Sequence, residues 1–550
     1  MIHKRWVILG KHPAKKASIQ DILTILLHNR GIKGKKQTDN FITPSLGLVT
    51  AKSVGIDALQ LKRAIERIKS AITNAETIVI FGDYDVDGIT GTAILWETLY
   101  KKTKHVFPYI PDRVEEGYGL SIKGMTNVLA KHPKTTLVIT VDNGIVAGAA
   151  AVWAKDKGID VIITDHHTSG KQTPDAYAIV HTTNLCGAGV AYLLSQAFKE
   201  KGDIDDHLEL AALGTVADLV PLTGANRAIV KFGITSLKQT KRPGLRALYQ
   251  AAGIDPSTMS VYTIGHLIGP RLNATGRLAS AMDSLRLLCT PDTSRAQKLS
   301  DYLERTNRER QLMMREATDH ATLLARETVS SRKLIVVSHE SYQQGVIGLV
   351  AGRLVEEYYR PAIVIARGKE ESKASARSIR GFNIIEALRQ SAGLLIDVGG
   401  HPMAAGFTLE TKLIEQFTQL LEKIAEPLLT DDLLEKKLQI DCKLPFSIIT
   451  KSFYKKLQTL APFGMANAEP VFMTEDVTVE DIRVIGHGAT HLKMIVRRDN
   501  TSFDAIGFGL GELSSDIHAG DTVALAYSID ENTWNGSTKL QLKVKDISKT

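Results

Sequence analysis

Cysteine is scarce: three residues in 550, Cys186, Cys289 and Cys442, lie far apart with no CxxC pair. That spacing excludes a zinc knuckle and a disulfide framework, so cysteine carries no chemistry here. Long apolar runs are missing too. Nothing approaches the ~18 residues of a membrane-spanning helix, and the opening MIHKRWVILGKHPAKK lacks the apolar core and cleavage site of a secretory signal. The expectation is a cytoplasmic chain with no membrane partner. No GxxxxGKS/T is present, which removes the P-loop that the Gly-bounded segment 82–88 would otherwise suggest; its acids would repel a bare phosphate. There is no solenoid repeat and no low-complexity tract.

What is there is an ordinary globular composition, 43% hydrophobic and 23% charged. At about 100–200 residues per domain the chain holds three or four. The net charge of +8 is uneven: residues 1–70 carry fourteen Lys and Arg against four Asp and Glu. Such a basic segment suits a polyanionic partner through release of counterions, although a solvated basic surface explains it equally well.

From about residue 71, β-branched runs alternate with helical composition. Ile78–Phe81, Leu137–Val141 and Val161–Thr164 read as buried strands, with helices over Ile89–Lys101 and Ala147–Lys157 between them. The pattern predicts an α/β, doubly wound parallel sheet over 71–293. Residues 294–328 contain neither Gly nor Pro and are rich in Glu, Arg, Leu and Ala, which predicts one long connector helix, taken as 294–330. New apolar runs, Leu334–Val337 and Ala362–Ile365, announce a second, smaller α/β domain over 331–435. Over 436–550, alternation in Val477–Ile485, His491–Val496, Ser502–Phe508, Thr522–Ile529 and Lys539–Val544, with a turn at Asn535-Gly536, predicts a small OB-like β-barrel.

The acids fall at the strand tips. Ile78–Phe81 runs into Asp83, Asp85 and Asp87; Leu137–Val141 into Asp142; Val161–Thr164 into Asp165-His166-His167. In an open parallel sheet the loops at the carboxyl ends of neighbouring strands meet in one crevice. Carboxylates gathered there repel one another unless cations hold them. A single Asp at a strand end is more often a helix cap, but three such loops with five Asp and two adjacent His point to a metal site. The mixed Asp/His set suits Mn²⁺ or Mg²⁺ over structural zinc, and two ions about 3.5–4 Å apart are the arrangement for phosphoester hydrolysis.

These residues resemble the DHH phosphoesterase family, whose triplet stands at 165–167. The resemblance continues through Pro108–Leu120, Cys186–Leu193 (CGAGVAYL), Ala212–Leu222 and Gly269–Leu278 (GPRLNATGRL). It resumes in Gly345–Val355, Ser375–Gly381 and Gly399–Phe407 (GGHPMAAGF), which look like the DHH-associated domain, and the combination is that of RecJ-type exonucleases. The likeness implies Asp85, Asp87, Asp142, His166 and Asp218 as metal ligands, Asp83 as a further one and Asp142 as the bridge. It implies His167 on the phosphate being cleaved, with Asp165 orienting its neighbours. Ser375, Arg377 and Arg113 (PYIPDR) are implied to hold a terminal 5′-phosphate, which would fix 5′-to-3′ polarity. Arg271, Asn273, Arg277 and His401 are implied as strand contacts.

The function implied is a single-stranded-DNA exonuclease working with two Mn²⁺ or Mg²⁺ ions in DNA repair and recombination, as a monomer beside a helicase and a single-strand-binding protein. In the barrel, Phe503, Phe508, Tyr527 and Trp534 are the aromatic candidates for base stacking, with as many of them expected in the core as on the surface. A nanoRNase or cyclic-dinucleotide phosphodiesterase would use the same chemistry, but the last ~110 residues exceed the two lobes of such enzymes. A non-catalytic replisome scaffold would have lost ligands that this chain keeps. The chain departs from the family pattern at Phe463–Pro470 (FGMANAEP), where Ala466 and Ala468 replace Gly and Pro. It departs again at Ala374, in place of Gly, and at Ser341–Gln344.

Overall fold

The computed structural model describes residues 4–10, 18–113, 115–200, 207–534 and 536–549, the side chain of Trp534 excepted. The chain divides into two compact units, residues 30–308 with 457–469, and residues 1–29 with 309–456 and 470–550. The basic stretch 1–70 is therefore not one segment. Lys4–Ile8 is a strand of the second unit, paired in parallel with Lys436–Ile440, whereas the helices from Lys35 onward belong to the first. Charge does not report strand pairing; the short run Trp6-Val7-Ile8 is the only local sign of it. No helix among the described residues is long and apolar enough to cross a membrane.

In the first unit the β-branched runs form a five-stranded parallel sheet. Its order is Val106–Tyr109, Thr77–Phe81, Thr135–Thr140, Asp160–Asp165, Ala178–His181. The runs are apolar on both sides because helices cover both faces. Ile78 and Ile80 pack with Ile89 and Ala93 on one face, while Val79 and Phe81 pack with Met125 and Val128 on the other, a period of two. Thr77–Phe81 comes first in the chain yet lies between the second and third strands. The connections therefore diverge between it and Thr135–Thr140, the place where such sheets open a crevice at their carboxyl ends.

The loop at 463–469 keeps its turn despite the lost glycine. Ala466 adopts φ 58°, in the left-handed region, and Gly464 and Asn467 pair across the turn. The Asn467 amide donates to the carbonyls of Leu460 and Pro462 at 2.8 Å each. The fully buried Arg227 donates to the carbonyls of Phe41, Ala461 and Pro462, which ties the turn to the unit.

Helix Thr293–Thr328, 36 residues long, carries the chain into the second unit. There a five-stranded mixed sheet runs in the order Asp397–His401, Ala404–Glu410, Glu371–Arg377, Ala362–Ala366, Ile335–His339, with only the last pair parallel. The C-terminal strands Phe472–Ile485, His491–Arg498, Thr501–Gly507, Ser537–Lys549 and Thr522–Trp534 close on themselves through pairing of the last with the first. Register shifts in three of these ladders supply the bends closure needs. Tyr527 is fully buried, its ring against Phe446 and Phe472 and its hydroxyl bonded to Thr474, so it is a core residue and not a stacking platform. Phe503 packs edge-on against buried Phe446. Phe508 is 59% exposed beside His491. The Trp534 side chain and Asn535 lie outside the described residues.

Candidate metal centre

The acidic loops are shaped by backbone hydrogen bonds. Asp85 caps the helix Val86–Tyr100, its Oδ1 accepting the N–H groups of Asp87 and Gly88 at 2.9 and 3.1 Å. Asp87 is buried, and its two oxygens accept the N–H groups of Gly187 and Ala188 at 2.6 and 2.8 Å. Those amides begin the helix Gly187–Ser195, where the dipole favours an anion. This is the use of the CGAGVAYL segment, and Gly187 is required there: a Cβ would stand 2.5 Å from the Cβ of Asp142. Asp142 itself holds φ 65°, an uncommon and costly conformation for a residue with a side chain.

Asp165 works as an anchor. Its Oδ1 accepts the backbone N–H groups of His166 and His167 at 2.7 and 3.1 Å and lies 2.7 Å from His167 Nδ1, while its Oδ2 accepts Ile145 N–H at 2.8 Å. Asp218 closes the helix Leu208–Ala217.

These loops bring seven of the expected residues together, the six expected ligands and His167. Single donor atoms of Asp83, Asp85 and Asp142 lie within 4.8 Å of one another, as do those of Asp87, His166 and Asp218, and those of Asp142, His166 and His167. Asp142 and His166 each belong to two groups. His166 Nε2 is 3.1 Å from Asp142 Oδ1, 3.5 Å from Asp218 Oδ2 and 3.8 Å from Asp87 Oδ2.

The electrostatics are severe without a cation. Burial and the charge of Asp85 push the Asp83 carboxyl well above the usual carboxylate range. Burial and the charges of Asp87, Asp85, Asp83 and Asp218 do the same to Asp142. Burial and Asp87 raise Asp85, and burial with Asp87 and Asp85 pushes Asp218 up to about 9. Burial lowers His166, keeping it as the neutral imidazole that ligates metals. Burial also opposes charge on His167, but the hydrogen bond and charge of Asp165 outweigh it and raise its pKa.

Asp83 Oδ1, Asp142 Oδ1, Asp218 Oδ2 and His166 Nε2 are buried with no hydrogen-bond partner among the described residues. Unpaired buried oxygens of this kind cost free energy unless something of opposite charge meets them. Carboxylates with one or two imidazoles and no thiolate fit Mn²⁺ or Mg²⁺, so the residues present suit the ions that the sequence implied.

Around this centre, Arg113 lies 5.0 Å over the ring of Tyr84, and both line a cavity of about 410 Å³. The remaining expected contacts of the first unit sit on one helix, Gly269–Leu278. Asn273 Oδ1 accepts the N–H of Val86 at 2.9 Å, bracing the acidic loop. Arg271 pairs with Glu304 at 2.6 Å and donates to the Leu267 carbonyl at 2.7 Å, so its charge is already engaged within the protein. Arg277 is half-buried on the same helix.

Tyr118, which no side-chain pattern singled out, stands with its hydroxyl 3.1 Å from His167 Nε2. In the second unit, Arg377 donates to Ser375 Oγ at 3.1 Å at the end of the strand Glu371–Arg377. His401 is exposed at the end of an edge strand, its Nδ1 accepting the N–H of Met403 at 3.3 Å.

Three domain families match in order: DHH family, N-terminal domain, over residues 77–215; DHHA1 domain over 331–427; and RecJ OB domain over 440–546. The single-stranded-DNA-specific exonuclease RecJ of Bacillus subtilis is 38% identical across 99% of this chain and 71% of its own. The Escherichia coli protein of the same name is 30% identical across 96% of each chain. The crystal structure of Thermus thermophilus RecJ in complex with Mn²⁺ superposes with a TM-score of 0.83 at 30% identity, covering 99% of this chain and 80% of that one, and a Mg²⁺ complex of the same protein also matches. With the domain order, the extent of the similarity and the acid-lined crevice all in agreement, the chain belongs to the RecJ family.

Proposed function

We propose that the chain is a metal-dependent exonuclease that degrades single-stranded DNA from the 5′ end. The observation that carries this reading is the set of four buried ligand atoms without a hydrogen bond, on Asp83, Asp142 and His166 at the strand tips of one sheet and on Asp218 at the end of the helix Leu208–Ala217. Asp83, Asp85, Asp87, Asp142, His166 and Asp218 are assigned as the residues that would hold two Mn²⁺ or Mg²⁺ ions, with Asp142 shared because, of the two residues that belong to two donor groups, it is the one with two ligand oxygens. Such ions supply, when bound, a hydroxide-like water and positive charge against a phosphate.

The chain's own groups do the rest. Asp87 is fixed by the amides of Gly187 and Ala188, so it presents its remaining lone pairs without rotating. Asp165 fixes the His167 ring at Nδ1 and leaves Nε2 to face the attacked phosphate, where it stabilises charge or hands a proton to the leaving oxygen. Arg113 is assigned to phosphate, with Tyr84 holding its guanidinium. The Ser375–Arg377 pair is suited to a terminal 5′-phosphate, which arginine meets in a bidentate way. Arg277 and His401 are assigned to the strand. Asn273 and Arg271 serve it by bracing the acidic loop and the helix that carries them. The barrel, with Phe508 exposed, is a module for following a single strand by stacking and charge. Such a nuclease works in the cytoplasm as a monomer, on strands opened by a helicase and covered by a single-strand-binding protein.

Digestion of 5′-phosphorylated, 5′-hydroxyl and duplex oligonucleotides with and without Mn²⁺ tests the reading. Single strands shorten, duplex is spared and EDTA stops the reaction. A single strand left whole in Mn²⁺, or a marked preference for dinucleotides, contradicts it.

A further inference from the structure

The roles given to the chain's own groups leave His181 unused. It ends the strand Ala178–His181 and is the ladder partner of Asp165 on the neighbouring strand, so the two side chains leave the same face of the sheet. Its Nε2 lies 2.7 Å from the backbone carbonyl oxygen of His167, at the short end of the N–H···O range. Among the described residues that carbonyl has no other hydrogen bond. A carbonyl oxygen can only accept, so Nε2 is the nitrogen that carries the proton, in the neutral ring and in the imidazolium alike. The contact therefore needs no change of charge on either histidine.

The path of the chain gives this bond its use. Asp165 holds His167 by its amide and its ring: Oδ1 accepts the N–H groups of His166 and His167 and lies 2.7 Å from Nδ1 of the His167 ring. Beyond its carbonyl, His167 opens into an irregular connection, in which residues 168–173 are all exposed, before the chain re-enters the sheet at Ala178. Exposed connections move more than the strands that they join. His167 stands at the root of this one, and its carbonyl is the first backbone group through which that motion reaches it. A donor fixed to the end of a strand in the same sheet stops the motion there.

We infer that His181 is a positioning residue for the cleavage step: by donating to the His167 carbonyl it isolates the His167 imidazole from the connection that follows, and keeps the ring aimed at the attacked phosphate. The inference rests on His167 acting at that phosphate, as proposed above. No bond to His181 is made or broken; it contributes by limiting the displacement of a group whose misplacement by roughly 1 Å costs on the order of 100-fold in rate.

His181→Ala removes the donor, and His181→Gln returns an amide N–H₂ at about the reach of Nε2. With a 5′-phosphorylated single-stranded oligonucleotide in Mn²⁺, turnover of His181→Ala falls about tenfold, while KM and Mn²⁺ affinity stay within about twofold of the parent. His181→Gln recovers turnover to within about threefold of the parent. In a His167→Ala background, followed in single-turnover digestion with excess enzyme, His181→Ala costs nothing further, because the residue through which it acts is gone. A histidine that only anchors the connection would lower Tm and leave turnover at the parental value, which overturns the inference. So do a loss that lies wholly in KM or in Mn²⁺ affinity, a His181→Gln no better than His181→Ala, and an equal loss in the His167→Ala background. A parent chain that leaves single strands whole overturns the functional reading itself. An active parent with any of the other contrary results overturns this inference alone.

Discussion

Gly187 tests how tightly the acidic crevice is built, because nothing about its chemistry marks it as important. A Cβ added there would stand 2.5 Å from Asp142 Cβ and 2.8 Å from Asp142 Cγ and Oδ1, against an ordinary contact of 3.4–4 Å. Asp142 must retreat by roughly 1 Å, or the helix Gly187–Ser195 must, and the second choice pulls the Gly187 amide from Asp87. Misplacing a catalytic group by roughly 1 Å costs on the order of 100-fold in rate, while overpacking of this size costs about 1–3 kcal/mol in stability. Gly187→Ala is therefore expected to fold, with a lowered Tm, and to cleave single-stranded DNA on the order of 100-fold more slowly than the parent in Mn²⁺. Gly148→Ala is the control. Its Cβ meets nothing within 4 Å, in a helix that gains from alanine. Activity of Gly187→Ala within about threefold of the parent, at equal Mn²⁺ affinity, would refute the claim that these two carboxylates are held in place by close backbone approach.

Three further outcomes follow from charge and backbone. Asp218 has a folded pKa of about 9 against an ordinary 3.8, so the metal-free fold loses stability progressively as pH rises from about 4 to about 9; the Tm gain on adding Mn²⁺ over EDTA grows with pH across that window, and a gain that shrinks contradicts the account. Burial opposes ionisation of Glu97, but hydrogen bonds from His207 and Arg242 and the Arg242 charge hold its carboxyl at about 2. That depressed value contributes on the order of 3 kcal/mol, fully present above the ordinary pKa of 4.5 and lost as pH falls toward 2. Glu97→Gln accordingly flattens the acid limb of a stability–pH curve measured by urea unfolding. Ala466→Gly relieves a left-handed residue, worth ~1–2 kcal/mol, and loses ~0.4–1 kcal/mol to a looser unfolded chain. It raises the unfolding free energy slightly, and a clear drop would show that the turn does not have this shape.

How much of this was legible in the sequence depends on whether a feature lies in one stretch of side chains. The strand-tip acids were legible because a parallel sheet sends every strand's carboxyl end to the same edge, so Asp83, Asp85, Asp87, Asp142 and the 165–167 triplet had to meet. The long helix was legible because Thr293–Thr328 contains no breaker. The amides of Gly187 and Ala188 that hold Asp87 were not, since a backbone N–H has no letter of its own. Arg271 read as a strand contact from its motif, but its partner Glu304 lies 33 residues away and only the packing of the two helices brings them together. Tyr527 looked available for stacking until closure of the barrel put its ring in the core. Lys4–Ile8 read as part of a basic arm because its strand partner, Lys436–Ile440, lies near the other end of the chain.

The central claim is that carboxylates from separate strand tips and His166 share divalent ions in one crevice. Anomalous diffraction from crystals grown with Mn²⁺ addresses it directly. The account predicts manganese peaks within ligand distance of Asp142 and His166, reached also by Asp83, Asp85, Asp87 and Asp218. Peaks only elsewhere in the molecule, or none at saturating Mn²⁺, would contradict it.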